Sequence, residues 1–188
     1  GIIDDDASFD TLDDRVHMTQ WHDKFQRIET LQFGDGSEID ITKLASALQT
    51  LGATSSQHAV GTGGFDWITG GETGDVIEGV GGADVLIGLG GNDHLTGGLG
   101  NDLLAGGNGD DIFVFSIGDG KDRIADFQAG LGASDVLDLS GHNVGSFDNV
   151  QDIATQLGAD TVLRLTESDQ LTLVGVNAFE LVQDDFLL

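Results

Sequence analysis

The sequence contains no cysteine and no proline, and it has few basic residues. Without thiols there can be no disulfides, and cysteine usage says nothing about the compartment. Seven Lys and Arg stand against 33 Asp and Glu, which gives a formal net charge of −26. This excess opposes compaction, and it makes nucleic acid and anionic membranes poor partners because both are bound through basic surfaces. Divalent cations are the expected counter-charge.

Long apolar runs and catalytic signatures are also missing. No run reaches the length of a transmembrane helix, and Gly1–Asp6 has neither the basic nor the apolar region of a secretory signal. The sequence has no cysteine nucleophile, no G-x-S-x-G motif and no H-E-x-x-H motif. For His17 and His22, on either side of Trp21, we expect surface or packing roles ahead of a zinc site. The sequence therefore predicts no enzyme activity for this chain.

Glycine is abundant instead, with 30 residues, and it is concentrated in a tract with a period of nine. The tract divides into six nonapeptides: 61–69, 70–78, 79–87, 88–96, 97–105 and 106–114. Position one is Gly and position six is Asp in all six, and position four is Gly except at Thr73. Position eight is always large and apolar: Ile68, Ile77, Leu86, Leu95, Leu104 and Phe113.

The repeated positions have a simple physical interpretation. Glycines permit tight turns with inward-facing carbonyls, and the three residues after each Asp suit a brief strand. One apolar side chain in nine residues cannot form a core alone, but stacked turns join these side chains into a continuous spine. The tract therefore predicts a solenoid, whereas a flexible linker would have no reason to keep an apolar residue at position eight.

This pattern resembles the calcium-binding nonapeptide of the RTX (repeats-in-toxin) family. The resemblance implies a mainly β fold, a parallel β-roll stapled by calcium, with two nonapeptides in each coil. It also implies that each ion takes Asp carboxylates from two repeats one coil apart, pairing Asp66 with Asp84, Asp75 with Asp93, Asp84 with Asp102, and Asp93 with Asp111, for about four sites. The turn carbonyls implied as further ligands are those of Thr62, Gly64, Gly71, Thr73, Gly79, Val80, Gly81, Gly82, Gly88, Leu89, Gly90, Gly91, Gly97, Leu99, Gly106 and Asn108. Thr73, in place of glycine, is expected to strain its turn.

Residues 1–60 are expected to cap the open end of the roll with a hairpin and a short helix. In residues 29–41, Leu31 and Phe33 would face Ile39 and Ile41 across a Gly-rich turn. Leu44, Leu48 and Leu51 follow at helical spacing, with Thr42 as the N-cap and Gly52 as the stop.

Residues 115–188 resemble the cap that follows the repeats in serralysin-like proteases and related secreted proteins, through the segments 122–127 and 135–141. Val150, Ile153, Ala154 and Leu157 predict an amphipathic helix that Gly158 ends, and 162–165 with 171–174 predict a second hairpin. Asp119 and Asp122 either complete a further calcium site or are solvated loop acids. The ending Asp184–Leu188 resembles an uncleaved type I secretion signal, and a final strand packed on the cap is the other interpretation.

The function that follows from this resemblance is a calcium-binding module of a secreted bacterial protein. It would fold on calcium outside the cell, and its partners would be calcium and the type I secretion machinery. The alternative is a calcium-dependent carbohydrate-binding or adhesive module that takes an extracellular polysaccharide. Trp21 and Trp67 could stack on a sugar, although core packing is the expectation for both.

Overall fold

The computed structural model describes residues 57–132 and 135–188, together with four short strands upstream. The chain divides into two units, residues 1–46 and 47–188. The first unit contains β1 (His17–Met18), β2 (Thr30–Gln32) and β3 (Glu38–Asp40) in one antiparallel sheet. Leu31 of β2 lies opposite Ile39 of β3. The predicted hairpin is therefore confirmed in these two strands, while the rest of 29–41 lies outside the described residues.

The second unit is built on two columns of parallel strands. The first column contains β4 (Leu48–Thr50), β6 (Trp67–Thr69), β9 (Val85–Gly90), β12 (Leu103–Asn108), β14 (Lys121–Ile124) and β18 (Gln170–Leu173). The second contains β5 (His58–Val60), β7 (Val76–Glu78), β10 (His94–Thr96), β13 (Ile112–Val114), β15 (Val136–Asp138) and β19 (Phe186–Leu187). A small parallel pair, β8 (Gly81–Gly82) with β11 (Leu99–Gly100), joins neighbouring turns.

The register of these strands confirms the predicted β-roll. Trp67 pairs with Val85 in the first column, and His94 pairs with Val76 and with Ile112 in the second. Each pairing joins equivalent positions of alternate nonapeptides, so one coil of the roll contains two repeats. Each column strand of the repeats covers positions seven to nine, as the residues after each Asp predicted, and β9 and β12 continue into the following nonapeptide.

The interior of the roll is a single apolar spine. All six residues at position eight are buried, and Ala59, Ile124 and Leu137 continue the two rows at either end. Their strand neighbours face outward because side chains alternate along a strand. The apolar period of the sequence thus becomes one continuous core, to which each coil adds two side chains.

Two predicted helices differ from the structure. Leu48–Thr50 is a strand, β4, which pairs in parallel with β6, whereas the other residues of that predicted helix lie outside the described residues. Downstream, α1 spans Phe147–Ile153 and buries Val150, but Ala154–Leu157 is β16. Pairing with a neighbouring strand overrides the local helical spacing in both places, because ladder hydrogen bonds are available there.

The C-terminal strands close the first sheet. β16 pairs antiparallel with β17 (Asp160–Arg164), and β17 pairs antiparallel with β18, which confirms the second predicted hairpin. Two 3₁₀ turns, Ser140–His142 and Gln183–Asp185, flank this region. β19 pairs with β15, so the ending does form a final strand. No helix in the described part of the chain is long and apolar enough to cross a membrane.

Candidate metal centre

The Asp residues at position six form a buried ladder along each edge of the roll. Oδ1 of Asp84 accepts the backbone N–H of Asp66 at 2.8 Å, and Oδ1 of Asp93 accepts that of Asp75 at 2.7 Å. The next rungs join Asp102 Oδ1 to Asp84 N at 2.7 Å and Asp111 Oδ1 to Asp93 N at 2.9 Å. All six side chains are almost fully buried. The structure thus brings together each of the four Asp pairs expected from the sequence.

The second carboxylate oxygen is left without a partner in the middle of the roll. Oδ2 of Asp84, Asp93, Asp102 and Asp111 is buried and makes no hydrogen bond. Leaving a buried acceptor unpaired costs about 1–3 kcal/mol, and more for a charged group. Four such atoms in register require a positive partner, and hard carboxylate and carbonyl oxygens are the ligands that Ca²⁺ prefers.

Backbone carbonyls lie beside these carboxylates. A methyl group on Gly61 would lie 2.6 Å from the carbonyl oxygen of Gly79 and 2.7 Å from Oδ2 of Asp66, so one point is close to both oxygens. The same arrangement joins Gly88 to Asp75, and it recurs in the next coils. The expected carbonyl ligands brought to the carboxylates are those of Gly79, Gly88, Gly97 and Gly106. Glycine at position one therefore keeps this space open.

Other expected carbonyl ligands already take part in the stacking of the turns. The carbonyls of Thr62, Gly71 and Val80 accept N–H groups of Gly81, Gly90 and Leu99, and that of Asn108 accepts the N–H of Gly91. A carbonyl has a second lone pair, so these oxygens keep some capacity. The remaining expected carbonyls lie on the same stacked turns: Gly64, Thr73, Gly81, Gly82, Leu89, Gly90, Gly91 and Leu99.

Within residues 57–132 and 135–188, no three acidic or histidine side chains converge as a metal-binding group. The oxygens that these turns offer to an ion are therefore carboxylates together with backbone carbonyls.

A family model described as "RTX calcium-binding nonapeptide repeat (4 copies)" matches residues 52–86, 78–113 and 87–124. Residues 52–124 are RTX calcium-binding repeats. These repeats bind calcium, and the geometry of the roll fits that ion. The matched range begins before the six nonapeptides and ends after them.

Solved structures similar to this chain include two subunits of a mannuronan C5-epimerase and an extracellular lipase. The AlgE6R3 subunit of the Azotobacter vinelandii mannuronan C5-epimerase is 29% identical, over 72% of this chain and 80% of that one, with a TM-score of 0.47. Its AlgE6R2 subunit is also 29% identical, over 76% and 93%, with a TM-score of 0.48. The extracellular lipase LipA of Serratia marcescens is 19% identical, over 73% of this chain but 40% of the lipase, with a TM-score of 0.40. No curated protein matches the chain.

The RTX turns occur in two conformations. In the first two repeats the N–H of position two, in Thr62 and Gly71, donates to Oδ2 of the same repeat's Asp at 2.6 and 2.7 Å. In repeats three to six, positions two and four have left-handed φ values, which turn that N–H away: Val80, Gly82, Leu89, Gly91, Gly98, Gly100, Gly107 and Gly109. Thr73 does not have a left-handed φ, so its turn avoids the expected backbone strain. Only the open turns of repeats three to six leave Oδ2 unpaired.

Burial changes the proton affinity of the RTX carboxylates. Burial raises the pKa of Asp84 to about 6 and that of Asp93 to about 7, and the neighbouring carboxylates of the ladder raise both further. Loss of solvation on burial also raises the pKa of Asp102 and of Asp111. A group with a raised pKa is costly to ionise in the folded state, and a bound cation removes that cost.

The ladder extends beyond the six repeats. Oδ1 of Asp122 accepts the N–H of Asp102 at 2.9 Å, and Oδ1 of Asp135 accepts that of Asp111 at 3.1 Å. Asp119 is buried as well and accepts the N–H of Ser116, so neither Asp119 nor Asp122 is a solvated loop acid. Burial raises the pKa of Asp122 to about 8 and that of Asp135 to about 6. Asp135 was not predicted as a site residue from the sequence, although Asp122 and Asp135 are each followed, after one intervening position, by an apolar residue, as in every repeat.

Proposed function

We propose that this chain is a calcium-responsive module of a secreted bacterial protein, which folds on calcium outside the cell and so supports type I secretion and the stability of a larger chain. The observation that carries this proposal is the row of buried, unpaired Oδ2 atoms of Asp84, Asp93, Asp102 and Asp111. These atoms make the stacked roll unfavourable until a cation lies beside them. Any enzyme activity belongs to the larger protein.

The charge of the chain links calcium to folding. At a net charge of −26 the calcium-free chain repels itself, which favours an expanded state suited to export. Extracellular calcium modules bind with Kd of roughly 10⁻⁴–10⁻³ M, so such sites are empty in the cytosol and filled outside. Because the sites exist only in the stacked turns, the free energy of binding becomes free energy of folding.

A calcium titration followed by far-UV circular dichroism tests this proposal, with magnesium as the control cation. We expect a disordered spectrum in chelator and a cooperative conversion to β structure at sub-millimolar to millimolar calcium. The matched variants are Asp93→Asn, which removes a buried ladder carboxylate, and Asp152→Asn, which removes an exposed one on α1. Asp93→Asn should raise the calcium midpoint several-fold and Asp152→Asn should not. A calcium-free chain that is already cooperatively folded would refute the proposal.

The segment Asp184–Leu188 is the proposed secretion signal. In the folded roll this segment contains the end of the 3₁₀ turn Gln183–Asp185 and the strand β19, where Phe186 is buried. A signal read from the unfolded chain is compatible with that strand, because export precedes folding on calcium. Export through a co-expressed type I system should fall when Phe186, Leu187 and Leu188 are replaced by Ser. If the variant is exported as well as the unaltered chain, the segment is not a secretion signal and its role is that of the final strand alone.

One surface favours carbohydrate binding as a second candidate function. The basic residues within 57–132 and 135–188 are Lys121, Arg123 and Arg164, and all three are exposed on the sheet that contains β14 and β17. Lys121 and Arg164 lie on either side of Gln170 in register. None of the three forms an ion pair with an acid in the described ranges. Cations left unpaired on so acidic a molecule are available to an anionic ligand.

The same sheet face carries apolar surface next to these cations. Trp67 is 41% exposed, and its row continues across the sheet through Val85 and Leu103 to Arg123. Core packing of Trp67, the expectation from the sequence, is therefore not observed. A sugar ring can stack on an exposed aromatic side chain while carboxylates pair with the cations and hydroxyls with Gln170. This combination fits an acidic polysaccharide.

Binding of a short oligogalacturonate to the calcium-saturated chain tests this second function, with a neutral malto-oligosaccharide as the comparison ligand. We expect the triple variant Lys121→Gln, Arg123→Gln, Arg164→Gln to lose at least tenfold in affinity. The triple variant Lys24→Gln, Arg27→Gln, Lys43→Gln makes the same change in net charge and should bind normally. Equal losses in both triple variants, or equal binding of the neutral sugar, would exclude this surface as the site.

A further inference from the structure

Two segments after the six nonapeptides adopt the position of further repeats. Residues 117–125 place glycine at positions two and four, Asp122 at position six and the buried Ile124 at position eight. Residues 130–138 place glycine at position one, Asp135 at position six and the buried Leu137 at position eight. The insertions 115–116 and 126–129 break the period of nine, which hides both segments in the sequence. They are the seventh and eighth repeats of the roll.

The seventh repeat has the open turn of repeats three to six. Gly118 and Gly120, its positions two and four, have φ values of 94° and 102°, in the range of the open turns. Gly120 also bridges to Gly100, its equivalent one coil earlier. The eighth repeat is in register through Ile112–Val136 and Phe113–Leu137. Both segments therefore continue the stack in which the unpaired carboxylates lie.

The unpaired oxygens define which interfaces between coils need an ion. Oδ2 of Asp84 lies beside the carbonyl of Gly97, which belongs to the following coil, and Oδ2 of Asp93 lies beside that of Gly106. Each unpaired Oδ2 thus faces the coil that follows it. Asp102 and Asp111 have the same unpaired, buried Oδ2, and the coil that follows them consists of the seventh and eighth repeats.

At the N-terminal end of the roll, the Oδ2 atoms already have hydrogen-bond partners. Oδ2 of Asp66 and of Asp75 accepts the N–H of Thr62 and of Gly71, respectively. At the C-terminal limit of the ladder, Oδ2 of Asp135 accepts the N–H of Gln128 at 2.8 Å. Oδ1 of Asp66 is buried without a partner as well, but among the position-six carboxylates the buried, unpaired Oδ2 atoms are those of Asp84, Asp93, Asp102 and Asp111.

We infer that the four tight calcium sites are displaced by one coil toward the C-terminus relative to the count from the six nonapeptides. They lie between Asp84 and Asp102, Asp93 and Asp111, Asp102 and Asp122, and Asp111 and Asp135. The interfaces that follow Asp66 and Asp75 hold no tight ion. This assignment rests on the proposed calcium function, and it makes Asp122 and Asp135 ligands of two sites outside the six nonapeptides.

Counting tightly bound calcium in four single variants tests the assignment. The count is made by equilibrium dialysis and elemental analysis of the full chain with calcium as the probe. Asn keeps an amide oxygen for the ladder hydrogen bond but removes the charge. We expect four tight ions in the unaltered chain, three in Asp122→Asn and three in Asp135→Asn, and four in the matched variants Asp66→Asn and Asp75→Asn. Full counts in Asp122→Asn and Asp135→Asn, or a loss in Asp66→Asn or Asp75→Asn, would overturn the displaced register.

A measurement on the unaltered chain covers the case in which a variant does not fold. In a calcium titration followed by backbone amide NMR, the chemical shift of the Gly120 amide should stop changing once the tight sites are filled. The chemical shift of the Gly71 amide should not change as those sites fill. A direct response of Gly71 in place of Gly120 would overturn the assignment. An unaltered chain that binds no calcium would instead refute the proposed function itself, so the two failures are distinguishable.

Discussion

Val80 and Leu89 occupy the second position of their turns with φ values of 78° and 81°. The equivalent residues one coil later are Gly98 and Gly107, which adopt this conformation without a Cβ penalty. A β-branched side chain in the left-handed region is strained, at a cost of roughly 1–2 kcal/mol. The strain is tolerated because the stacked coils on either side fix the turn. These two residues thus show how strongly the roll determines its turn geometry.

Replacing Val80 by glycine should therefore stabilise the calcium-bound roll. Relief of the strain outweighs the extra unfolded-state entropy of glycine, for a net gain of about 0.5–1 kcal/mol in the free energy of unfolding. Urea denaturation in saturating calcium measures it. The matched control is Val76→Gly in strand β7, an exposed valine with no left-handed φ, which should destabilise by about 1 kcal/mol. Equal destabilisation by both changes would show that Val80 is not strained.

At single positions, the sequence was informative where a residue repeats and uninformative where an insertion breaks the repeat. Asp66, Asp84 and Asp102 were predictable as one ladder because equal spacing puts equal residues in register. Asp135 was not, because the insertions hide its repeat from any fixed period. The closed turn of Thr62 was also not readable, because it depends on which N–H group reaches Oδ2 and not on residue type.

At the scale of elements, local patterns misled where strand pairing decided the outcome. The helical spacing through Leu157 continued past Ile153, yet the chain turns there into β16, which pairs with β17. Spacing within a segment does not reveal a partner supplied by later residues. The strands of the repeats were predictable because each partner is another copy of the same pattern.

The β16–β17 hairpin offers a test at this scale. Gly158 follows β16 with a φ of 67°, and Leu157 pairs with Asp160 across the two-residue turn. Glycine at the first turn position matches a type II′ hairpin, which suits the twist of the strands. Gly158→Ala should cost about 1–2 kcal/mol of folding free energy, because alanine is strained at this φ. Calcium-saturated thermal melting is the measurement.

The control for this hairpin is Gly63→Ala in the first RTX turn. Gly63 is exposed, has no left-handed φ, and a methyl group there would meet nothing within 4 Å. That variant should be as stable as the parent or slightly more stable, because alanine reduces the entropy of the unfolded chain. If the Gly158→Ala variant has the same melting temperature as the Gly63→Ala variant, the turn does not require the left-handed conformation.

For the whole molecule, calcium and protons compete for the same buried charge. In the folded chain burial raises the pKa of Asp84 to about 6, of Asp93 to about 7 and of Asp122 to about 8, from an ordinary value of 3.8. Between the ordinary carboxyl pKa of 3.8 and the highest of these raised values, about 8, the calcium-free folded state binds more protons than the unfolded chain. Its stability therefore falls as pH rises, and is fully present only below the ordinary carboxyl pKa.

Protein dialysed free of divalent ions should accordingly keep a larger folded fraction at pH 5 than at pH 8, measured as residual β structure by far-UV circular dichroism at the two values. In saturating calcium the order should reverse, because the ion replaces the protons and binds best to ionised carboxylates. Asp93→Asn should flatten the calcium-free dependence by removing one buried titrating group, whereas the exposed Asp152→Asn should leave it unchanged. Calcium-free protein that is as stable at pH 8 as at pH 5 would show that the ladder carboxylates ionise without cost, and calcium would then have no buried charge to neutralise.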